Sequence, residues 1–144
     1  MLINPRSILL VEDNADDEQL TIRAMRQSEV PTIIRVARDG AEAIDLLHGL
    51  SADERLPDLI LLDIKLPKIG GLEVLKQIRA HEKTRHLPVV ILTSSDEEKD
   101  ILEGYAMGAN SYVRKPVDFE EFTDSVKQMG LYWLGINHLS NGTG

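Results

Sequence analysis

The sequence predicts an α/β fold in which helices cover both faces of a doubly wound, five-stranded parallel sheet. Short runs of Val, Ile and Leu alternate with stretches of helical periodicity, and the runs end at charged or hydroxylated residues. Apolar runs of this length are typical of strands that are buried on both faces of a parallel sheet. Short βα units joined by right-handed crossovers then place helices on both faces of that sheet.

The composition indicates a single domain over residues 1–144, with a core at about 6–130 and a C-terminal extension at about 131–144. Hydrophobic residues make up 42% of the chain. No apolar run reaches the roughly 18 residues of a membrane-spanning helix. The lack of cysteine and of a secretory leader favours a cytoplasmic protein. The net charge of −8 argues against nonspecific binding to DNA.

The first two βα units are predicted from apolar runs and the breaks that follow them. Ile8–Val11 is the first strand, and a polar-rich helix follows over roughly 15–29, ending before Pro31. Thr32–Val36 is the second strand, after which Asp39-Gly40 turns the chain into a helix. One face of that helix carries Ala43, Ile44 and Leu47.

The third unit begins after Pro57 and Asp58, which interrupt the chain before the strand Leu59–Leu62. Gly70 and Gly71 then open a third helix. Helical spacing predicts that its inward face carries Leu72, Leu75 and Ile78.

The last two units complete a (βα)5 pattern. Val89–Leu92 is the fourth strand, and the fourth helix begins at Ser95 or Asp96, either of which can serve as its N-cap. Asn110–Arg114 is the fifth strand, and a last helix begins at Asp118.

Three carboxylates are predicted to meet at one edge of the sheet. Glu12 and Asp13 follow the first strand, and Asp63 follows the third. In the strand order 2-1-3-4-5 these strands are neighbours at the topological switch point, where open α/β sheets bind ligands. Because three close carboxylates repel one another, a divalent cation would stabilise them, and Mg²⁺ prefers such oxygen ligands. We expect direct binding by Asp13 and Asp63, with Glu12 reaching the ion through water.

Phosphoryl chemistry at Asp63 is the hypothesis that accounts for these residues together. A carboxylate beside Mg²⁺ can attack a phosphoryl group. The metal, the Lys115 ammonium and the Thr93 hydroxyl would then each meet one of its three equatorial oxygens. Taken singly, each residue has a plainer explanation. The acidic pair could be a solvated rim or a helix cap, Lys115 a surface lysine, and Thr93 a cap or a strand former.

The chain resembles the response-regulator receiver domains of two-component signalling. The resemblance covers roughly residues 6–130, and its strength lies in the order and spacing of several individually weak motifs. Those motifs are Glu12-Asp13, the segment from Leu62 to Pro67 that contains Asp63, Gly70-Gly71, Thr93-Ser94, Tyr112 and Lys115-Pro116.

The resemblance implies a flavodoxin-like fold and assigns roles to individual residues. Asp63 would be the phosphoacceptor, and Mg²⁺ would be bound by Asp13, Asp63 and the backbone carbonyl of Lys65, with Glu12 assisting. Thr93 and Lys115 would sense the phosphoryl group. Tyr112 would be the switch aromatic that turns inward with Thr93, and the Lys115-Pro116 bond would be cis.

Two residues depart from the common receiver pattern. Glu12 stands where Asp is frequent, which keeps the charge but lengthens the reach, and Lys65 carries a cation where many receivers have a polar side chain. The second change bears on how water reaches the acyl phosphate, so the dephosphorylation rate stays open. Like other receivers, the chain would catalyse only its own phosphorylation and dephosphorylation, with no separate substrate.

No output domain is expected to fit after the receiver, so we expect the signal to leave by protein contact, phosphate relay or a change of oligomeric state. The last helix carries an apolar stripe of Phe119, Phe122, Val126, Met129, Trp133 and Ile136. The part from Trp133 onward extends beyond the usual end of a receiver. It either folds back on its own domain or supports a homodimer, and Gly130 and Gly135 are compatible with both.

The narrower resemblance is to the small regulators that serve bacterial phytochrome histidine kinases. A stand-alone chemotaxis-type receiver or a phosphorelay shuttle is the main alternative, and a purely structural interaction module is a further one. A Mg²⁺-dependent phosphatase of the haloacid dehalogenase type needs an Asp where this chain has Lys65. A flavin-binding protein of the same fold needs a hydroxyl- and Gly-rich loop after the first strand, where this chain is acidic.

Overall fold

A computed structural model describes residues 6–26, 32–49, 56–64, 66, 69–93, 105–106, 108–114 and 124 of the chain. Within these ranges the fold consists of five strands and three complete helices. In chain order they are β1 (Arg6–Val11), α1 (Ala15–Arg26), β2 (Thr32–Ala37), α2 (Gly40–His48), β3 (Leu59–Leu62), α3 (Gly71–Ala80), β4 (Val89–Thr93) and β5 (Ser111–Arg114).

The strands form one parallel sheet in the order β2-β1-β3-β4-β5, which confirms the predicted doubly wound, flavodoxin-like topology. The order reverses direction between β1 and β3, which pair with each other. Val11 at the end of β1 pairs with Leu62 at the end of β3, so the residues that follow the two strands emerge side by side. The switch point therefore lies where the sequence predicted it.

The core has two layers, one on each face of the sheet, because successive side chains of a strand point to opposite faces. Leu9 and Val11 of β1 pack in the layer that includes α2 and α3. Ile8 and Leu10 pack in the other layer, with Met25 of α1. All four residues of β3 are buried, which explains why this strand is apolar without alternation.

At the start of α1 and of α2 a polar side chain accepts a hydrogen bond from a backbone N–H group of the first turn. Asn14 Oδ1 accepts a hydrogen bond from Asp17 N at 3.0 Å at the start of α1. Asp39, the N-cap of α2, accepts one from Glu42 N at 2.7 Å. The α3 helix begins after Gly70 and has no side-chain cap.

The structure refines several predicted boundaries. The described part of α1 ends at Arg26, and residues 27–31 lie outside the described ranges. The inward face of α3 includes Val74, which is buried and was missed, whereas Leu72 is only partly buried against the core. The predicted fourth and fifth helices lie mostly outside the described residues; Tyr105, Ala106 and Asp124, which do not, are helical. The helical stripe of the tail also lies outside them.

None of the helices in the described ranges has both the length and the apolar character that crossing a bilayer requires.

Candidate functional site

Glu12 and Asp13 lie immediately after β1, and they differ sharply in exposure. The backbone N–H of Glu12 donates to the carbonyl of Ala37 at 2.9 Å, which continues the pairing of β1 with β2 by one residue. Glu12 is fully buried, and its Oε2 accepts a hydrogen bond from Asn14 N at 3.4 Å. Asp13 is exposed. One carboxylate is thus held inside the edge of the sheet and the next faces solvent.

Asp63 lies at the same edge, directly after β3. Its backbone N–H donates to the carbonyl of Val11 at 3.1 Å, so the pairing of β1 with β3 extends to this residue. Asp63 is only 7% exposed. One carboxylate oxygen from each of Glu12, Asp13 and Asp63 lies within 4.8 Å of the others. The three carboxylates that the sequence predicted to converge are therefore close enough to share one cation.

The donor set at this cluster fits a hard divalent cation. All three groups offer carboxylate oxygen, which is the ligand that Mg²⁺ and Mn²⁺ favour over sulfur or a crowded imidazole set. Two of them, Glu12 and Asp63, are buried, and burial strengthens the mutual repulsion of negative charges. Exposed Asp13 leaves one side open to water, as Mg²⁺ requires for its remaining ligands.

The chain after Asp63 is folded tightly around the carbonyl oxygen of Ile64. That oxygen accepts hydrogen bonds from Leu66 N at 3.2 Å and from Gly71 N at 2.8 Å. The second bond brings the start of α3 against the backbone that leaves β3. Lys65, whose backbone carbonyl was predicted as a metal ligand, follows Ile64 in the sequence and lies outside the described residues.

Two glycines, predicted only to turn the chain into a helix, permit this close packing. A Cβ atom on Gly71 would collide with the carbonyl oxygen of Asp63 and lie 2.6 Å from Ile64 Cα. A Cβ atom on Gly40, the first residue of α2, would lie 2.7 Å from the carbonyl oxygen of Ile69. Both distances are shorter than real contacts, so glycine at these positions lets α3 approach the backbone of Asp63 and Ile64, and α2 approach that of Ile69.

The remaining predicted site residues belong to β4, β5 and the segment after β5. Thr93 is the last residue of β4, at the same edge as the carboxylates, and its register partner is Arg114. Tyr112 pairs with Ile91 in the middle of β5. Lys115 follows Arg114 in the sequence, and it lies outside the described residues together with the Lys115-Pro116 bond.

Sequence reasoning also missed an ion pair near this edge. Arg38 follows directly after β2, and its Nη2 lies 3.2 Å from Oε1 of Glu18 in α1. The backbone N–H of Arg38 donates to Glu42 Oε2 at 3.2 Å. The Arg38 side chain is 64% exposed, so the pair contributes on the order of 0–1 kcal/mol. No periodicity or motif could have revealed it, because the contact depends on how α1 and α2 flank the sheet.

Comparison with known proteins identifies the family. The sequence model of the response regulator receiver domain matches residues 8–127, which is most of the chain. The chain belongs to this family. The receiver is therefore a response regulator of two-component signalling, a class whose partners are in general histidine kinases.

Curated relatives cover nearly the whole receiver. It is 42% identical over 135 residues to a probable methanogenesis regulatory protein, FilR2 of Methanothrix harundinacea, across 93% of this chain and 87% of FilR2. It is 34% identical over 132 residues to the response regulator Rcp1 of Synechocystis, across 90% of each chain.

Solved structures point to the regulators of phytochromes. The phosphorylated cyanobacterial phytochrome response regulator RcpA matches with a TM-score of 0.86 and 37% identity, across 92% of this receiver and 96% of RcpA. The Mn²⁺-bound form of Rcp1 matches with a TM-score of 0.83 and 33% identity, across 90% and 95% of the two chains. The receiver thus resembles the phytochrome response regulators that the sequence had suggested.

Proposed function

We propose that residues 1–144 form one receiver domain of a response regulator, and that it accepts a phosphoryl group on Asp63 from a histidine kinase in the presence of Mg²⁺. The observation that carries this proposal is the approach of the Glu12, Asp13 and Asp63 carboxylates to within 4.8 Å, at the edge where β1 and β3 end. Its signal would leave the receiver through a protein contact that depends on phosphorylation.

The metal would be held by Asp13, Asp63 and the backbone carbonyl of Lys65, with Glu12 bound through water. When bound, Mg²⁺ supplies positive charge that neutralises the phosphoryl oxygens and the crowded carboxylates. The burial of Glu12 and Asp63 supports this arrangement, because a cation offsets the repulsion between neighbouring carboxylates most strongly where water is largely excluded.

The chemical step assigned to Asp63 is an attack by a carboxylate oxygen on the phosphorus atom of a phosphohistidine. An oxygen–phosphorus bond forms and the phosphorus–nitrogen bond breaks, and its electron pair returns to the imidazole. The metal would neutralise one of the three phosphoryl oxygens. The Lys115 ammonium would stabilise the second, and the Thr93 hydroxyl would donate a hydrogen bond to the third. Motion of Thr93 toward the phosphoryl group then allows Tyr112 to turn inward, which couples the site to the surface around β5.

A phytochrome-type histidine kinase is the partner that the relatives support best. RcpA and Rcp1 match across most of both chains, and RcpA is itself a phytochrome response regulator. A phosphorelay or stand-alone signalling receiver is the second candidate. Its basis is that similarity extends beyond the phytochrome regulators: the receiver is also 38% identical over 127 residues to the polar-differentiation response regulator DivK of Brucella anthropi.

The C-terminal extension is proposed to support a homodimer of this cytoplasmic regulator. The support is the apolar stripe that continues to Trp133 and Ile136. Truncation after Gly130 should then lower the mass measured in solution at concentrations where the full chain is dimeric. Equal masses for the two chains at every concentration would remove this role from the extension.

Labelling with a small radioactive phosphodonor tests the central proposal. The natural chain should incorporate an alkali-labile phosphate only when Mg²⁺ is present, and the Asp63→Asn variant should incorporate none. The matched control is Asp58→Asn, at the opposite end of β3, where the carboxylate accepts a hydrogen bond from Ser7 N at 2.8 Å. Undiminished labelling of Asp63→Asn would assign the phosphate to another residue.

A further inference from the structure

Arg79, near the end of α3, uses its entire guanidinium group in hydrogen bonds. Nε and Nη2 donate to the carbonyl oxygen of Gly108 at 3.0 and 2.8 Å, and Nη2 also donates to Asn110 Oδ1 at 3.0 Å. Nη1 donates to the carbonyl oxygens of Arg85 and Leu87 at 2.9 and 2.7 Å. A guanidinium carries five N–H groups, so each of them has an acceptor.

These acceptors belong to two segments that are far apart in the sequence. Arg85 and Leu87 precede β4, whereas Gly108 and Asn110 precede β5. Asn110 is further bound to the first residue of β4, because its Oδ1 accepts from Val89 N and its N–H donates to the Val89 carbonyl, both at 2.8 Å. Hydrogen bonds of Arg79 and Asn110 therefore connect the segment before β5 with the segment before β4 and with the first residue of β4.

The backbone at Gly108 is adapted to this contact. Its φ angle is +102°, a conformation that residues with side chains rarely adopt. A Cβ atom there would lie 2.9 Å from Arg79 Nε. Burial lowers the pKa of Arg79, yet arginine stays protonated in proteins, so its bonds to neutral oxygens remain charge-assisted.

The attachment adds to a short strand pairing, because β5 pairs with a single strand in the described sheet. β5 has four residues, and they run in register from Val90–Ser111 to Thr93–Arg114. A strand of this length has few ladder bonds of its own. The attachment at residues 108–110 thus fixes a strand whose far end lies opposite Thr93 and is followed directly by Lys115.

We propose that Arg79 is a positioning residue for phosphorylation: it holds β5 in register with β4, and so keeps Arg114, the residue that precedes Lys115 in the sequence, opposite Thr93. The inference rests on the proposed function, since it acts through Lys115. The metal-binding carboxylates should respond differently to loss of Arg79 than the part of the site at the ends of β4 and β5. Glu12, Asp13 and Asp63 follow β1 and β3, and none of the hydrogen-bond acceptors of Arg79 lies on those strands, so metal binding should not depend on Arg79.

The test compares Arg79→Gln with Arg85→Gln, a nearby exposed arginine whose side chain makes no hydrogen bond in the described ranges. Arg79→Gln should speed hydrogen exchange of the Tyr112–Arg114 amides by about tenfold or more, as expected for the loss of charge-assisted bonds, with β1 and β3 unchanged. Affinity for beryllofluoride, an acyl-phosphate mimic, and the rate of phosphorylation should fall about tenfold, whereas the Mg²⁺ dissociation constant stays within about twofold. Arg85→Gln should match the natural chain in every measurement.

Two further variants keep the result decisive. Asn110→Ala should act in the same direction as Arg79→Gln with a smaller effect. In a Lys115→Ala background, Arg79→Gln should slow phosphorylation no further, because both changes act through one residue. Unchanged exchange in β5, additive slowing, or equal losses of Mg²⁺ and beryllofluoride affinity would overturn the inference. If the natural chain took up no label, the proposed function would fail as well, whereas normal labelling with an unaffected Arg79→Gln variant would overturn the inference alone.

Discussion

Gly71 packs directly on the backbone of Asp63. Its N–H donates to the Ile64 carbonyl at 2.8 Å, and a Cβ atom at position 71 would overlap the carbonyl oxygen of Asp63. The first turn of α3 therefore touches the residue assigned as phosphoacceptor, and glycine is the residue that makes this contact feasible. The backbone that leaves β3 at Asp63 and Ile64 is therefore in contact with the start of α3.

Gly71→Ala is expected to destabilise the fold and to weaken Mg²⁺ binding, because α3 and the Asp63–Ile64 backbone must separate to admit a methyl group. Overpacking of this kind costs on the order of 1–3 kcal/mol. Gly70→Ala is the control, since a Cβ atom there would meet nothing within 4 Å and its φ of −65° suits alanine. Urea unfolding and magnesium titration of both variants provide the measurement, and equal behaviour of the two would contradict the role of Gly71.

Asp13→Asn should raise stability in the absence of Mg²⁺ and reduce the stabilisation that Mg²⁺ provides. Removal of one of three neighbouring carboxylates relieves repulsion, and the same change removes a metal ligand. Ligand binding to the folded state contributes about 2.7 kcal/mol at a hundredfold excess over the dissociation constant. Thermal unfolding with and without MgCl₂ measures both effects. Asp16→Asn, an exposed carboxylate in the first turn of α1, serves as the control, and an equal Mg²⁺ response in the two variants would argue against Asp13 as a ligand.

The His48–His81 pair should make stability fall as the pH drops below neutrality. The two rings stack with centroids 4.1 Å apart, joining the end of α2 to the end of α3. Burial, with a contribution from His81, lowers the pKa of His48, and Asp45 offsets this only in part. At pH values between the ordinary histidine pKa of about 6.5 and the lower pKa of His48 in the folded state, the unfolded chain therefore binds more protons than the folded chain.

The contribution of His48 is thus complete above about pH 6.5 and is lost as the pH falls through that window. His48 is an exposed residue that is only partly removed from water, so the effect on stability should be small. His48→Gln should flatten the dependence of the unfolding free energy on pH between neutral and mildly acidic conditions. His86→Gln, at an exposed position in the turn after α3, is the matched control. A slope that survives in His48→Gln would assign the effect to other groups.

Asn14→Ala should lower the free energy of unfolding by about 1 kcal/mol, because it removes the side chain that accepts from Asp17 N at the start of α1. Asn14→Asp keeps the acceptor and should retain most of the stability. Comparison of the two by chemical unfolding isolates the cap. If Asn14→Ala were as stable as the natural chain, the hydrogen bond would contribute nothing measurable.

The strands could be predicted because burial on both faces of the sheet requires short, continuous apolar runs in the sequence. β3 is apolar at each position because each position is buried. Glu12, Asp13 and Asp63 could likewise be grouped in advance, since parallel strands present their carboxyl ends at one edge and β1 pairs with β3.

The features that escaped prediction depend on tertiary contacts between distant or irregular segments. Arg79 reads as an ordinary charged residue of an amphipathic helix, yet its acceptors Gly108 and Asn110 lie 29 and 31 residues away. Gly40 and Gly71 read as turn residues, and only their approach to neighbouring backbone explains why a side chain is excluded. Val74 was missed because the apolar face of α3 is wider than the three positions from which it was read.

The most direct test of the central claim is to locate the phosphate. After phosphorylation in the presence of Mg²⁺, borohydride reduction of the acyl phosphate and peptide mass spectrometry would identify the modified residue. Reduction at Asp63, absent when Mg²⁺ is removed, is the expected result. Modification of Asp13 or another carboxylate with Asp63 intact, or a modification of Asp63 that does not need a divalent cation, would contradict the account.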